Sequence, residues 1–143
     1  VSRHTDGIDK AREDLLAAAR AARANAHAPY SSFPVGAAVR TGDGSVFTGV
    51  NVENASYPEG VCAETAALSA MATAGKRDLV AAAVVADGER PVTPCGGCRQ
   101  RLAEFGDDST EVIIGDDSEV KLVTTLAELL PLRFTSHSLA EHP

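Results

Sequence analysis

Three cysteines and one glutamate carry the most chemistry in this sequence. The cysteines fall in two places, Val61-Cys62-Ala63-Glu64 and Pro94-Cys95-Gly96-Gly97-Cys98. Cys95 and Cys98 are three residues apart, so one turn of helix sets both thiols on one face. Each cluster follows a polar, Pro- and Gly-containing stretch and opens a helix-forming run, which places it at a helix N-terminus. That end carries roughly half a positive charge, and the field favours thiolate over thiol. Three thiolates around a zinc dication leave a net formal charge of minus one, which two helix N-termini aimed at the sulfurs would offset. Three protein ligands leave a fourth position open, the arrangement of a catalytic rather than a structural zinc. Zinc so held lowers the pKa of a water it binds from about 15.7 to about 7. Glu64 is the nearest candidate for general base and acid. It stands two residues from Cys62, about 200° around an ideal helix. The two meet at one site only if Cys62 lies at the helix entry, which spacing alone leaves open.

Each half of the pattern also has a plainer reading. A lone Cys-x-x-Cys serves equally as a redox pair or as half of a structural zinc site. A single Cys62 could be a buried, inert side chain. A closed structural site would need a fourth ligand, and the histidines at 4, 27, 137 and 142 lie far from both clusters in sequence. The joint pattern of Cys-x-Glu and Pro-Cys-x-x-Cys, each opening a helix, is much more specific than either half.

The elements that must position these groups follow from periodicity. Ile8, Leu15, Leu16, Ala19 and Ala22 recur at helical spacing, which predicts an amphipathic helix over 8–25. Residues 35–40 and 46–50 read as two strands of a hairpin closed by the turn at 41–44. A polar loop over 51–60 leads to a second helix from about Cys62 to Ala74, stopped by Gly75. Residues 79–86 form a continuous small apolar run suited to a strand covered on both faces. After a loop at 87–93, Pro94 opens a third helix ending at Phe105-Gly106. Strands at 111–114 and 120–124 and a short helix at 125–130 complete the pattern, with a weakly patterned tail from 131. The five residues between the last two strands cannot hold a crossover helix, so that pair should be antiparallel. The order is that of an α/β protein: a three-layer α/β/α arrangement around a five-stranded mixed sheet, with 1–143 read as one domain and 131–143 as its tail.

Composition narrows the function. The chain has 143 residues, 44% hydrophobic and 23% charged, with a formal net charge of −7. No basic stripe for a phosphate backbone is visible and stacking aromatics are few, which argues against a nucleic-acid polymer as partner. The most apolar stretch, 79–87, is too short to span a bilayer. Residues 1–10 carry charges and no signal-peptide core. An odd cysteine count does not suit a disulfide framework. A soluble cytoplasmic protein is the expectation, and an uncharged small molecule remains open as its substrate.

Cys62-Ala63-Glu64 followed by Pro94-Cys95-Gly96-Gly97-Cys98-Arg99-Gln100 resembles the zinc nucleoside and nucleobase deaminases, with Cys62 in place of the commoner first-ligand His. Phe33-Pro34-Val35-Gly36-Ala37-Ala38 and Asn51-Val52-Glu53-Asn54-Ala55 narrow the likeness to the free-nucleoside cytidine deaminases, over about 28–134. The short final hairpin fits this branch rather than the one acting on tRNA or DNA. The resemblance implies one Zn²⁺ per subunit on Cys62, Cys95 and Cys98, and hydrolytic deamination of cytidine and 2′-deoxycytidine in pyrimidine salvage. Glu64 would carry a proton from the attacking water to N3 of cytosine and then help the amine leave as ammonia. Asn51 and Glu53 would hydrogen-bond the ribose hydroxyls, and Phe33 would pack on the base. The Ala63 N–H would bind the base carbonyl, and the Thr93 carbonyl would receive the exocyclic amine. Tyr57 and Phe134 would reach a neighbouring subunit's site in a homotetramer. Thr65 stands where the family often has an Arg that hydrogen-bonds the zinc thiolates; its hydroxyl offers one donor and no charge. The alternatives are a deaminase of a modified cytosine nucleoside such as blasticidin S, which Asn51-x-Glu53 disfavours, and a non-catalytic zinc-stabilised domain, which Glu64 and the missing fourth ligand disfavour.

Overall fold

The computed structural model describes residues 9–140, so the start of the first predicted helix at Ile8, together with His4 and His142, lies outside the described residues. The chain order is α1 (Lys10–Arg23), β1 (Gly36–Thr41), β2 (Val46–Val50), α2 (Ala63–Thr73), β3 (Leu79–Val85), α3 (Gly96–Phe105), β4 (Glu111–Gly115), β5 (Val120–Thr125), α4 (Leu126–Leu129) and α5 (Ser136–Ala140). The strands form one mixed sheet in the order β2-β1-β3-β4-β5. Only β3 and β4 run parallel, and α3 is their crossover. The two hairpins, β1–β2 and β4–β5, are antiparallel as their short connections require.

Helices cover both faces. Leu15, Leu16 and Ala19 of α1 pack with Ala38, Ala81, Ala83, Val85 and Ile113 on one side. Ala63, Ala67, Leu68 and Met71 of α2, Leu102 of α3 and Leu126 of α4 pack with Ala37, Val39, Ala82, Val84 and Val112 on the other. Alternate residues of β3 thus serve opposite layers, which is why its apolar run is unbroken.

Local chemistry sets the helix limits. Asp9 accepts the Arg12 N–H at 2.9 Å and caps α1, so the helix opens at Lys10 rather than at 8. Arg23 closes its buried face. The guanidinium binds the Pro34 carbonyl, Asp87 and Asp117 at 2.8–2.9 Å, joining α1 to three loops. Gly75, at φ 83°, ends α2 in a conformation that side chains rarely adopt. Two short pieces escape the periodicity: a 3-10 turn at Tyr57–Glu59 and α5 within the tail.

α2 reaches the sheet through one glycine. A Cβ on Gly49 would lie 2.3 Å from the Ala67 nitrogen and 2.5 Å from the Ala63 carbonyl oxygen. The absent side chain lets the first turn of α2 lie directly on β2, and that turn follows Cys62 and contains Glu64.

Candidate metal centre and active site

Cys62 is the N-cap of α2, with φ −74° and ψ 152°. Because its backbone is still extended there, Cys62 escapes the 200° separation that a helix would impose. It lines one cavity together with Glu64. Cys95 is in turn the N-cap of α3, with φ −66° and ψ 168°, and Cys98 stands in that helix's first turn. The three Sγ atoms lie within 4.8 Å of one another, and among the described residues no His, carboxylate or further Cys joins them. Tetrahedral zinc with Zn–S of about 2.3 Å needs sulfurs about 3.8 Å apart. Sulfurs within 4.8 Å of one another need to shift by at most about an ångström to reach that spacing. A soft, all-sulfur donor set of three suits zinc with one position left over.

The sulfurs differ in surroundings. Cys98 is fully buried, while Cys62 and Cys95 are exposed. Burial, and then the nearby Glu64 charge, push the Cys98 thiol far up; burial also raises Cys62. Cys95 is lowered, chiefly by the backbone N–H of Cys98 in the opening turn of α3. At Cys95 the helix N-terminus thus acts as the sequence implies, whereas at Cys62, the N-cap of α2, burial outweighs it. Thr65 Oγ1 lies 3.7 Å from Cys98 Sγ, so the hydroxyl meets the sulfur that solvent does not reach.

A cavity of about 250 Å³ gathers Cys62, Cys95, Glu64, Ala63, Thr93, Asn51 and Phe33, with Val35, Val84 and Val92 as apolar wall. Glu64 is 6% exposed, and burial raises its carboxyl above the ordinary glutamate range. A buried carboxyl next to a metal site can hold and give up a proton near neutral pH, which is the requirement for general acid–base work. Asn51 is held at both ends of its amide: Oδ1 accepts from the Val35 N–H at 2.8 Å and Nδ2 donates to the Phe33 carbonyl at 2.9 Å. It therefore fixes the segment that carries Phe33 across the cavity mouth, and one lone pair and one N–H remain for a ligand.

Glu53, Tyr57 and Phe134 do not line this cavity. Glu53 and Tyr57 border a second depression with Tyr30, Ser31, Asn54 and Gly60. The Glu53 carboxylate accepts the Tyr30 and Ser31 N–H groups at 2.9 and 3.1 Å and the Ser31 hydroxyl, bonds that lower its pKa. The Tyr30 and Tyr57 rings pack at 5.8 Å. Phe134 lies in a third depression beside Arg133 and His137, and is 58% exposed. Tyr30, Ser31 and Val92 had no signal in the sequence. They sit in irregular segments where no periodicity marks a face, and only their contacts reveal them.

Residues 9–115 match the family described as the cytidine and deoxycytidylate deaminase zinc-binding region. A cytidine deaminase of Halalkalibacterium halodurans is 48% identical over 128 residues, covering 90% of this chain and 97% of that protein. A cytidine deaminase of Sporosarcina psychrophila is 45% identical over 132 residues, covering 90% and 94%. The crystal structure of cytidine deaminase from Burkholderia pseudomallei superposes with a TM-score of 0.80 at 47% identity, covering 85% of this chain and 98% of that one. No helix among the described residues is long and apolar enough to cross a membrane.

Proposed function

This chain belongs to the cytidine and deoxycytidylate deaminase family, and from that membership we propose that it hydrolyses cytidine to uridine and ammonia with zinc on Cys62, Cys95 and Cys98. The observation that carries the proposal is the convergence of the Cys62 and Cys95 thiols with buried Glu64 on one cavity. Zinc bound there supplies Lewis acidity, making a water nucleophilic at neutral pH. Glu64 accepts a proton from the attacking water and delivers it to N3 of the cytosine ring. The same carboxyl then takes the proton of the hydroxyl now on C4 and passes it to the departing amine, leaving the C4 carbonyl of uridine and ammonia. Ala63, whose N–H belongs to the free first turn of α2, binds the base carbonyl. The Thr93 carbonyl receives the exocyclic amine, and Phe33 covers the base. Asn51 reaches the ribose with the valences its own loop leaves over.

The finer readings rest on the same family. We read 2′-deoxycytidine as a second substrate, because a small cavity that orients the base tolerates loss of one hydroxyl. Glu53, ionised and braced by Ser31, takes the ribose hydroxyls. Tyr57 and Phe134, at 75% and 58% exposure, complete sites on neighbouring subunits of a homotetramer. Chain 1–143 acts as one catalytic domain in pyrimidine salvage, and a reducing cytoplasm suits its three free thiols. The test is purified protein assayed for zinc and for ammonia release from cytidine, 2′-deoxycytidine, cytosine and blasticidin S. Zinc at one per chain with turnover of both nucleosides is the expected result. Turnover of blasticidin S alone, or zinc without any ammonia release, overturns it.

A further inference from the structure

Arg99 follows the last cysteine in sequence, and the roles assigned so far leave it without one. Its half-buried guanidinium donates to two separate stretches of chain. Nε reaches the Pro94 carbonyl at 2.7 Å and Nη2 the Thr93 hydroxyl at 3.0 Å. Nη1 reaches the carbonyl of Leu129, the last residue of α4, at 2.8 Å. Residues 87–95 form no helix or strand, so the cavity wall at Thr93 lacks the support of a ladder. Thr93 lines the cavity. Its hydroxyl is taken by Arg99, and its carbonyl oxygen has no protein donor among the described residues. The next residue, Gln100, donates to the Phe134 carbonyl at 2.9 Å. Two neighbouring residues of α3 thus brace the helix that follows Cys95 against the C-terminal part of the chain.

We propose that Arg99 is a positioning residue for the substrate base: it locks the Thr93–Pro94 wall between α3 and the end of α4, so that the unpaired Thr93 carbonyl meets the exocyclic amine of cytosine. The proposal rests on the deaminase reading above. A planar fork with five donors suits three acceptors on two stretches. A lysine keeps the charge but cannot span them.

The amine gives a readout that general damage would not. Cytidine donates an N–H at this position, whereas uridine presents only an oxygen acceptor. Loosening the wall should therefore weaken cytidine and spare uridine. In zinc-loaded Arg99→Lys, KM for cytidine should rise about threefold to tenfold, the worth of one neutral hydrogen bond. The Kd of uridine, measured calorimetrically, should stay within about twofold or tighten, with zinc content unchanged. Thr93→Val keeps the carbonyl and removes only the Nη2 acceptor. It should shift the same ratio in the same direction by less, and it serves where Arg99→Lys does not fold or hold zinc. Equal weakening of cytidine and uridine, or no change in either, overturns the role of Arg99 while wild-type turnover upholds the deaminase reading. A zinc-loaded wild type that binds uridine but does not deaminate cytidine overturns both.

Discussion

Glu64 combines near-complete burial with a place in the first turn of α2, two residues beyond the candidate ligand Cys62. It is not among the metal-binding group, so Glu64→Ala should leave zinc in place. Turnover should fall by at least the roughly 10²–10⁴-fold typical of a lost general acid–base. Zinc analysis beside an ammonia assay checks both halves, and near-normal turnover would remove Glu64 from the mechanism. Glu53 behaves differently because its bonds lower rather than raise its pKa. A group whose native pKa is lowered stabilises the fold above its unfolded value, near about 4.3, and loses that contribution as pH falls through the native one. Protection of the Tyr30 and Ser31 amides from hydrogen exchange should therefore persist at about pH 5 and fade only in stronger acid. Loss of protection at about pH 6 would show that another group holds the loop. At this scale the sequence made the cysteine cluster and Glu64 legible as a candidate site, because two helix starts and a fixed spacing mark them. The Ser31 clamp and the Arg99 brace were illegible, since both join residues across irregular chain.

The strands and the three long helices were readable from periodicity, and the β2 limits match the pattern at both ends. Boundaries moved where a single polar group decides them, as Asp9 does for α1. The α5 helix was missed because five residues are too few to show a face. Element contacts, unlike element types, depend on size: Gly49 is an unremarkable strand residue in sequence, yet it sets how closely α2 sits on β2. A methyl there meets the helix backbone, which cannot swing aside. Gly49→Ala should cost about 1–3 kcal/mol of stability and displace the turn that follows Cys62. Melting temperature and zinc retention should decline together. A drop in melting temperature with unchanged zinc affinity would mean that the helix entry is held independently of β2.

For the whole molecule, the notable feature among the described residues is a set of exposed apolar side chains. Leu132 is 104% exposed and Leu139 61%, alongside Phe134 and Tyr57. Arg133 bridges to Asp108 at 2.6 Å and Gln100 holds the Phe134 carbonyl, so this segment is fixed in place rather than loose. A tethered segment that shows apolar groups to solvent is where the proposed subunit contact would fall. Phe134→Ala should lower catalytic efficiency by about tenfold to a hundredfold if the ring closes a neighbour's site, matching the roughly 1.5–3 kcal/mol of burying such a side chain. Sedimentation velocity at assay concentration reports whether assembly weakens with it. A fully active wild-type monomer would contradict the shared-site arrangement.

The unequal exposure of the three sulfurs carries a kinetic consequence. Cys98 is sealed into the core, while Cys62 and Cys95 border the cavity proposed for the nucleoside. A metal held by these sulfurs would then exchange through the same opening that the proposed substrate uses. A nucleoside in the cavity should act as a stopper. Zinc extraction by a chelator should slow in saturating uridine, in proportion to site occupancy, while ribose alone should have no effect. Stopped-flow release measured across a uridine titration gives the comparison, and a release rate indifferent to uridine would place the exit elsewhere.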